Sequence, residues 1–286
     1  MGTSGSTRGT GNGTSLLPTF LNEPSGAPLP GGAGPAGGDG ADDGDPPAAD
    51  RPRPAIPAAA PDNRFSAARR NFSTFASSGG NDRRALHRAV RDYVRSGYGH
   101  SRNATAGMGA SRRSAANVLG VLRGFSREGV AQTLNRFNIA GLAGRPASEV
   151  LTALTDVICR DGGTIDEAIA REAWLETVAS VEAAGITDVD AMSPEQFGEV
   201  FLAFISQSIQ AKLFQEIGVN GFRVADLDEI RAFESQFRNY VDGRVRDSFN
   251  ADLSELAHMS DERINAVVEQ TYRDAWDLFV TWGDRE

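Results

Sequence analysis

The chain has 286 residues, a formal net charge of -9 at pH 7, 40% hydrophobic residues and a single cysteine. The acidic balance speaks against a protein that coats nucleic acid indiscriminately, and no apolar run approaches the ~20 residues that span a bilayer. The lone Cys159 leaves no disulfide framework and no CxxC metal pair, so a reduced, cytoplasmic setting is expected, with no cofactor and no membrane partner.

Charge is unevenly spread. Between Arg51 and Glu128 fifteen arginines face four carboxylates, whereas from Glu149 onward 28 acidic residues face 11 basic ones. Such asymmetry points to an electrostatic partner, either outside the molecule or within it. Lys212 is the only lysine, and the wealth of Ala, Gly, Arg and Asp has a bacterial cast.

Residues 1–61 read as a disordered tail. The opening MGTSGSTRGTGNGT is nearly all Gly, Ser and Thr, and removal of Met1 would leave Gly2 as a free α-amine on a flexible leash. The pattern MGxxxS formally matches an N-myristoylation signal, which the bacterial composition disfavours. Behind it Leu16, Leu17, Pro18, Phe20 and Leu21 form the apolar patch LLPTFL, suited to docking a tail onto a partner. From Asn22 to Pro61 the chain is Pro, Gly, Ala and Asp, too poor in apolar surface to fold. Its later prolines should stiffen it toward polyproline II.

A basic helical region is expected over residues 62–128. Phe65, Ala68, Phe72 and Phe75 recur at helical spacing until Gly79-Gly80 stops the helix. Asn81 or Asp82 caps a second helix that reaches about Ser96. Its Leu86, Val90, Tyr93 and Val94 make an apolar face, while Arg84, Arg88, Arg91 and Arg95 line the opposite one. Like charges so spaced weaken an isolated helix. The stripe therefore needs counter-charge, from the chain's own acidic half, from phosphate or from an acidic partner.

The stretch from Ser96 to Asn117 holds Gly97, Gly99, Gly107 and Gly109 with Tyr98, His100, Arg102, Arg112 and Arg113. It reads as a shaped glycine-rich loop between two helices. The following helix, from about Ser111 to Phe125, turns Ala115, Val118, Leu119 and Leu122 inward. Arg112 and Arg113 sit in its first turn, against the helix dipole. A glycine-rich loop feeding a helix N-terminus can cradle an anion, yet neither GxxxxGKS/T nor a strand-borne GxGxxG is present, so no nucleotide site is assigned.

Residues 129–286 read as an acidic helical domain packed on that region. Pro146 opens a helix through Val150, Leu151, Leu154 and Ile158, ended by Gly162-Gly163. Thr164 and Glu167 form a capping box for the next, with Ile165, Ile169, Trp174 and Val178 on its inner side. Ser193-Pro194-Glu195-Gln196 is a second start signal, leading into Phe197, Val200, Phe201, Phe204, Ile209, Leu213 and Ile217, the expected core helix. Asp226 opens a helix with Leu227, Ile230, Phe237, Val241, Val245 and Phe249. Ser260 opens the last, with Ile264, Val268, Tyr272, Ala275, Phe279 and Trp282. No alternating strand pattern appears, and the fold class is all-α: a multi-helix, bundle-like domain behind a long Gly/Pro-rich tail.

Catalytic chemistry is not evident. His87, His100 and His258 stand apart in sequence, and none belongs to an HExxH or HxH pair. Cys159 lies on an apolar helix face, where a buried structural thiol is the default. No nucleophile, base and orienting group assemble into a set, no metal site is expected, and the chain reads as a non-enzyme.

MGTSGS, LLPTFL, RRALHRAVRDYVRSGYGHSRNAT and GASRRSAAN together resemble the QatB family, accessory proteins of the bacterial Qat anti-phage defence system. The likeness is strongest over residues 1–21 and 81–120. Where the family tends toward TPLVPxW this chain has TSLLPTF, which keeps the order small, apolar, proline, aromatic. The resemblance implies a role beside a P-loop ATPase, a QueC-like protein and a TatD-like nuclease. QueC-type enzymes activate the carboxylate of a deazapurine for joining to an amine nitrogen. The expectation is an adaptor whose Leu16, Leu17, Pro18, Phe20 and Leu21 dock on the QueC-like partner, with Gly2 as the modified residue. The alternative is a nucleic-acid-binding or sensing subunit that uses Arg84, Arg88, Arg91, Arg95, Tyr98, His100, Arg102, Arg112 and Arg113.

Overall fold

The computed structural model of the chain describes residues 63–159, 163–218, 227–253 and 255–281, with 227–230 described in the backbone alone. The tail expected over 1–61, and with it Gly2 and the 16–21 patch, lies outside the described residues, as do Gly162, Asp226 and Trp282. The fold is all-α: eleven α-helices and no strand among the described residues.

Helix α1 (Ser66–Ser77) buries Ala68, Phe72 and Phe75, and Phe65 is buried just before its first turn. It ends at Gly79 and Gly80, both at positive φ (62° and 82°). A side chain on Gly80 would also meet the backbone of Phe233 at 3.0 Å, so this turn is closed by a helix packed directly on it. Asp82 then caps α2 (Arg83–Asp92), its carboxylate accepting from the Ala85 amide at 2.9 Å.

The stretch expected as a glycine-rich loop is helical almost throughout. A six-residue π-turn, Tyr93–Tyr98, continues α2; α3 (Ser101–Gly107) and α4 (Gly109–Glu128) follow at once. Of its four glycines only Gly99 takes a positive φ, 83°. Small residues let neighbouring side chains close in, and that packing, rather than a loop, is what they serve: Tyr98 lies against Gly107 and Phe65 against Gly97.

Helix α5 (Val130–Arg136) leads to α6 (Ala147–Ala153) and α7 (Thr155–Ile158), which break at Leu154 where one helix was expected. Helix α8 (Ile165–Ala183) begins at a capping box between Thr164 and Glu167. Ile165 is 64% exposed, not inward as its apolar character suggested, because it occupies the first turn before the helix meets its neighbours.

Helix α9 (Pro194–Ile217) is the centre of the body and contacts α1, α4, α8 and α10. It too starts at a capping box, Ser193 with Gln196, and has proline in its first turn. Its expected core residues are all buried. So is a polar run, Ser206 to Lys212, whose members need partners inside the protein. Ser208 shares a 2.6 Å hydrogen bond with Tyr272, and Gln210 donates to Asp242 at 3.1 Å.

Helices α10 (Leu227–Ser248) and α11 (Asp261–Thr281) complete the body. Phe72 of α1 meets Phe214 of α9 and Phe233 and Phe237 of α10 edge-on, at centroid distances of 5.8, 5.5 and 5.4 Å. Edge-to-face rings add to the area they bury, so this cluster ties the first helix to the core.

Candidate partner-binding groove

The periodicity of α2 sets its two faces. Ala85, Leu86, Ala89 and Val90 are buried, which leaves the arginines on the far side. Arg84 is exposed and makes no ion pair among the described residues. The Arg88 Nε donates to the Asn71 side chain at 3.3 Å, and Arg91 lies 3.7 Å from Asp92. None of these is a strong, buried ion pair.

The stripe forms one wall of a groove of about 610 Å³. Arg83, Arg84, Arg88 and Arg91 stand on the α2 side, and Gln236, Asn239, Tyr240, Arg244 and Asp247 on the α10 side. Phe75, Leu86 and His87 line it as well. His87 is almost wholly buried and meets the Tyr240 ring edge-on at 6.4 Å. Burial pushes the Tyr240 phenol up to about 12 against the pull of the Arg244 guanidinium, so its buried hydroxyl stays neutral beneath the groove.

The other residues expected to share this site do not line the groove. Arg95 and Arg102 are exposed beyond it. His100 is a helix cap: its Nδ1 accepts from the Asn103 amide at 3.3 Å, at the start of α3. Arg112 pairs with Glu269 of α11, and Arg113 lies 4.0 Å from Glu167 of α8. Arg123 joins them, donating to the Met259 carbonyl at 2.7 Å and to Asp261 at 2.6 Å. Three arginines of α4 are thus met by the chain's own acidic half, whereas on the α2 wall, among the described residues, only Arg91 lies near a carboxylate, Asp92.

Tyr98 belongs to an interior cluster that sequence reasoning missed. Glu216 accepts from the Tyr93 hydroxyl at 2.7 Å, from Tyr98 at 2.9 Å and from the Lys212 ammonium at 2.9 Å. Lys212 also donates to Asp166 at 2.7 Å, and Arg64 lies 3.9 Å from Glu216 while stacking over the Phe65 ring at 4.4 Å. Desolvation lowers the ammonium's pKa, but its hydrogen bonds to Asp166 and Glu216 outweigh this and leave it raised. Burial first, then Tyr98 and Glu216, holds the Tyr93 phenol well above the usual range. A protonated lysine, a carboxylate with three donors and two neutral phenols tie the π-turn to α8 and α9. The only signal in the sequence was the chain's sole lysine four residues before a glutamate on the core helix.

Among the described residues no group of three His, Cys, Asp or Glu side chains is placed to hold a metal ion, and no helix is long and apolar enough to cross a membrane. Cys159 is buried, its thiol donating to the Ala170 carbonyl at 3.5 Å.

No curated protein and no solved structure matches the chain. A family model, described as Qat anti-phage system associated protein QatB, matches residues 99–279. That span begins at the glycine closing the π-turn, takes in α3 through most of α11, and includes the α10 wall of the groove but not α2. It covers more than half of the sequence, and the chain belongs to the QatB family of the Qat anti-phage system.

Proposed function

We propose that this chain is a non-enzymatic adaptor of the Qat defence complex, a helical body that carries an N-terminal tail to a QueC-like partner. The observation that carries the reading is the family match over residues 99–279. A QatB protein has a role in Qat anti-phage defence, a multi-component system, so its partners come from the same system. On this reading Leu16, Leu17, Pro18, Phe20 and Leu21 dock the tail, and Gly2 enters the partner's active site. The α-amine, freed once Met1 is removed, attacks an activated carboxylate. An amide C–N bond forms as the activating group leaves and the nitrogen gives up a proton. Glycine suits that task because it has no side chain to obstruct a narrow channel. The P-loop ATPase and TatD-like nuclease would then assemble on the body.

The non-enzymatic part rests on the described residues. His87 lines the groove, His100 caps a helix and His258 lies exposed on the short turn Leu256–His258, so the three histidines occupy separate places in the fold. A nucleic-acid-sensing role is the second reading, favoured by the arginines of the α2 wall. It is weakened by the pairing of Arg112, Arg113 and Arg123 with carboxylates, which shortens the basic surface a polyanion could follow.

Intact-mass measurement of the chain, produced alone and then with its system partners, tests the first reading. An added mass on the N-terminal peptide only when the QueC-like protein is present is the expected result. A mass equal to the Met-removed chain in both cases, with that partner shown to be active, overturns it.

A further inference from the structure

We propose that the groove between α2 and α10 is the docking site for an acidic, amphipathic segment of another protein. The inference is independent of the tail, because it rests on the surface chemistry of the helical body alone.

The first ground is charge on the α2 wall that, among the described residues, the chain compensates only at Arg91, which lies 3.7 Å from Asp92. In a protein of net charge -9, the α2 wall carries Arg83, Arg84, Arg88 and Arg91. The one carboxylate lining the groove, Asp247, is already 3.3 Å from Arg244. Elsewhere the chain does supply counter-charge to its arginines, as at Arg112 with Glu269 and Arg123 with Asp261. Clustered guanidinium groups repel one another along a helix. A carboxylate-bearing ligand would relieve that repulsion and gain bidentate hydrogen bonds.

The second ground is what lies between the walls. Phe75 and Leu86 close the groove's base from within the core, 0% and 1% exposed. The apolar surface left to a ligand there is the half-buried ring of Tyr240, whose hydroxyl is turned into the protein. A basic wall facing a part-exposed aromatic ring fits an amphipathic helix, with an apolar side chain laid on the Tyr240 ring and carboxylates paired with the arginines. Spacing agrees: Arg84, Arg88 and Arg91 advance roughly 6 and then 4.5 Å along their axis at 1.5 Å per residue. Carboxylates four and three residues apart on a facing helix repeat at those same intervals.

Nucleic acid fits less well. Affinity for a phosphodiester strand grows with the number of phosphates neutralised, and so needs a continuous basic track. Here the track is one helix face, and Arg112, Arg113 and Arg123 of α4 are engaged with Glu269, Glu167 and Asp261.

The test places p-benzoylphenylalanine at position 236, in place of Gln236 on the groove's α10 wall, in the full chain co-produced with the other proteins of its system. After irradiation the crosslinked peptide is identified by mass spectrometry. The expected product is a segment of one of those proteins in which Asp and Glu outnumber Lys and Arg. Its yield should fall about tenfold with Arg84→Glu/Arg88→Glu and stay unchanged with Arg127→Glu, an exposed arginine on α4 outside the groove. Arg84→Gln/Arg88→Gln, which removes charge without reversing it, should give an intermediate yield, and circular dichroism should show the helices intact in each variant. Crosslinking to nucleic acid, to a second copy of this chain or to nothing overturns the proposal, as does a yield indifferent to the arginine variants. An unmodified Gly2 bears only on the tail reading and leaves these outcomes distinct.

Discussion

The Tyr93 hydroxyl donates to the Glu216 carboxylate at 2.7 Å, across 123 residues of sequence. Tyr93 opens the π-turn that follows the arginine stripe, and Glu216 ends the core helix. The bond therefore joins the basic N-terminal helices to the acidic remainder at a point shielded from water.

Glu216→Gln should be costly. It replaces the carboxylate that receives Tyr93, Tyr98 and Lys212 with an amide that carries no charge. Lys212 would be left with Asp166, whose side chain is half exposed. A loss on the order of 1.5–3 kcal/mol in urea denaturation is expected, the range for hydrogen bonds to charged groups. Adding Lys212→Met should restore part of it by removing the orphaned ammonium. A double variant no more stable than the single one would show that the charge pair is not what Glu216 supplies.

Alkaline pH should unfold the protein as a unit. All four tyrosines of the chain, Tyr93, Tyr98, Tyr240 and Tyr272, are raised above the ordinary phenol value, with burial as the first cause in each. In the unfolded chain they release protons near pH ~10, while the folded protein retains them. The unfolded state then binds fewer protons, so stability falls as pH rises above about 10. The raised Lys212 ammonium acts in the same direction. Tyrosinate absorbance should appear together with the loss of helical circular dichroism; a tyrosine ionising near pH ~10 with the helices intact would contradict this.

Two glycine-to-alanine changes should have opposite signs. A Cβ on Gly97 would overlap the ring of buried Phe65, whereas one on Gly120 of α4 meets nothing within 4 Å. Overpacking of that kind costs about 1–3 kcal/mol, so Gly97→Ala should lower the melting temperature. Gly120→Ala should raise it, by the equivalent of about 0.5–1 kcal/mol, through better helix propensity. Equal effects would mean that the π-turn yields to the added methyl.

Helix identity was legible in the sequence wherever local chemistry decides it. The Thr164 capping box, the Ser193 start signal, Asp82 and the apolar faces of α2 and α9 need only near neighbours, and each sits where spacing put it. Ile165 of α8, by contrast, is exposed. The glycine stretch was not legible, because glycine is read as a breaker when its neighbours in space are unknown. Gly97 and Gly107 are in fact small so that Phe65 and Tyr98 can pack over them. The groove was half legible: Arg84, Arg88 and Arg91 follow from the spacing of α2. Arg244 and Tyr240, one turn apart on α10, become partners to that wall only through the packing of helices distant in sequence.

The place of Lys212 has a consequence for covalent chemistry. It is the chain's only side-chain amine, 7% exposed, and its ammonium is held between two carboxylates. A reagent or enzyme that acylates amines finds no competing lysine on the folded surface and is left with the α-amine of the chain. Selectivity for that single nitrogen is thus conferred by the rest of the sequence, with no recognition needed to exclude other sites.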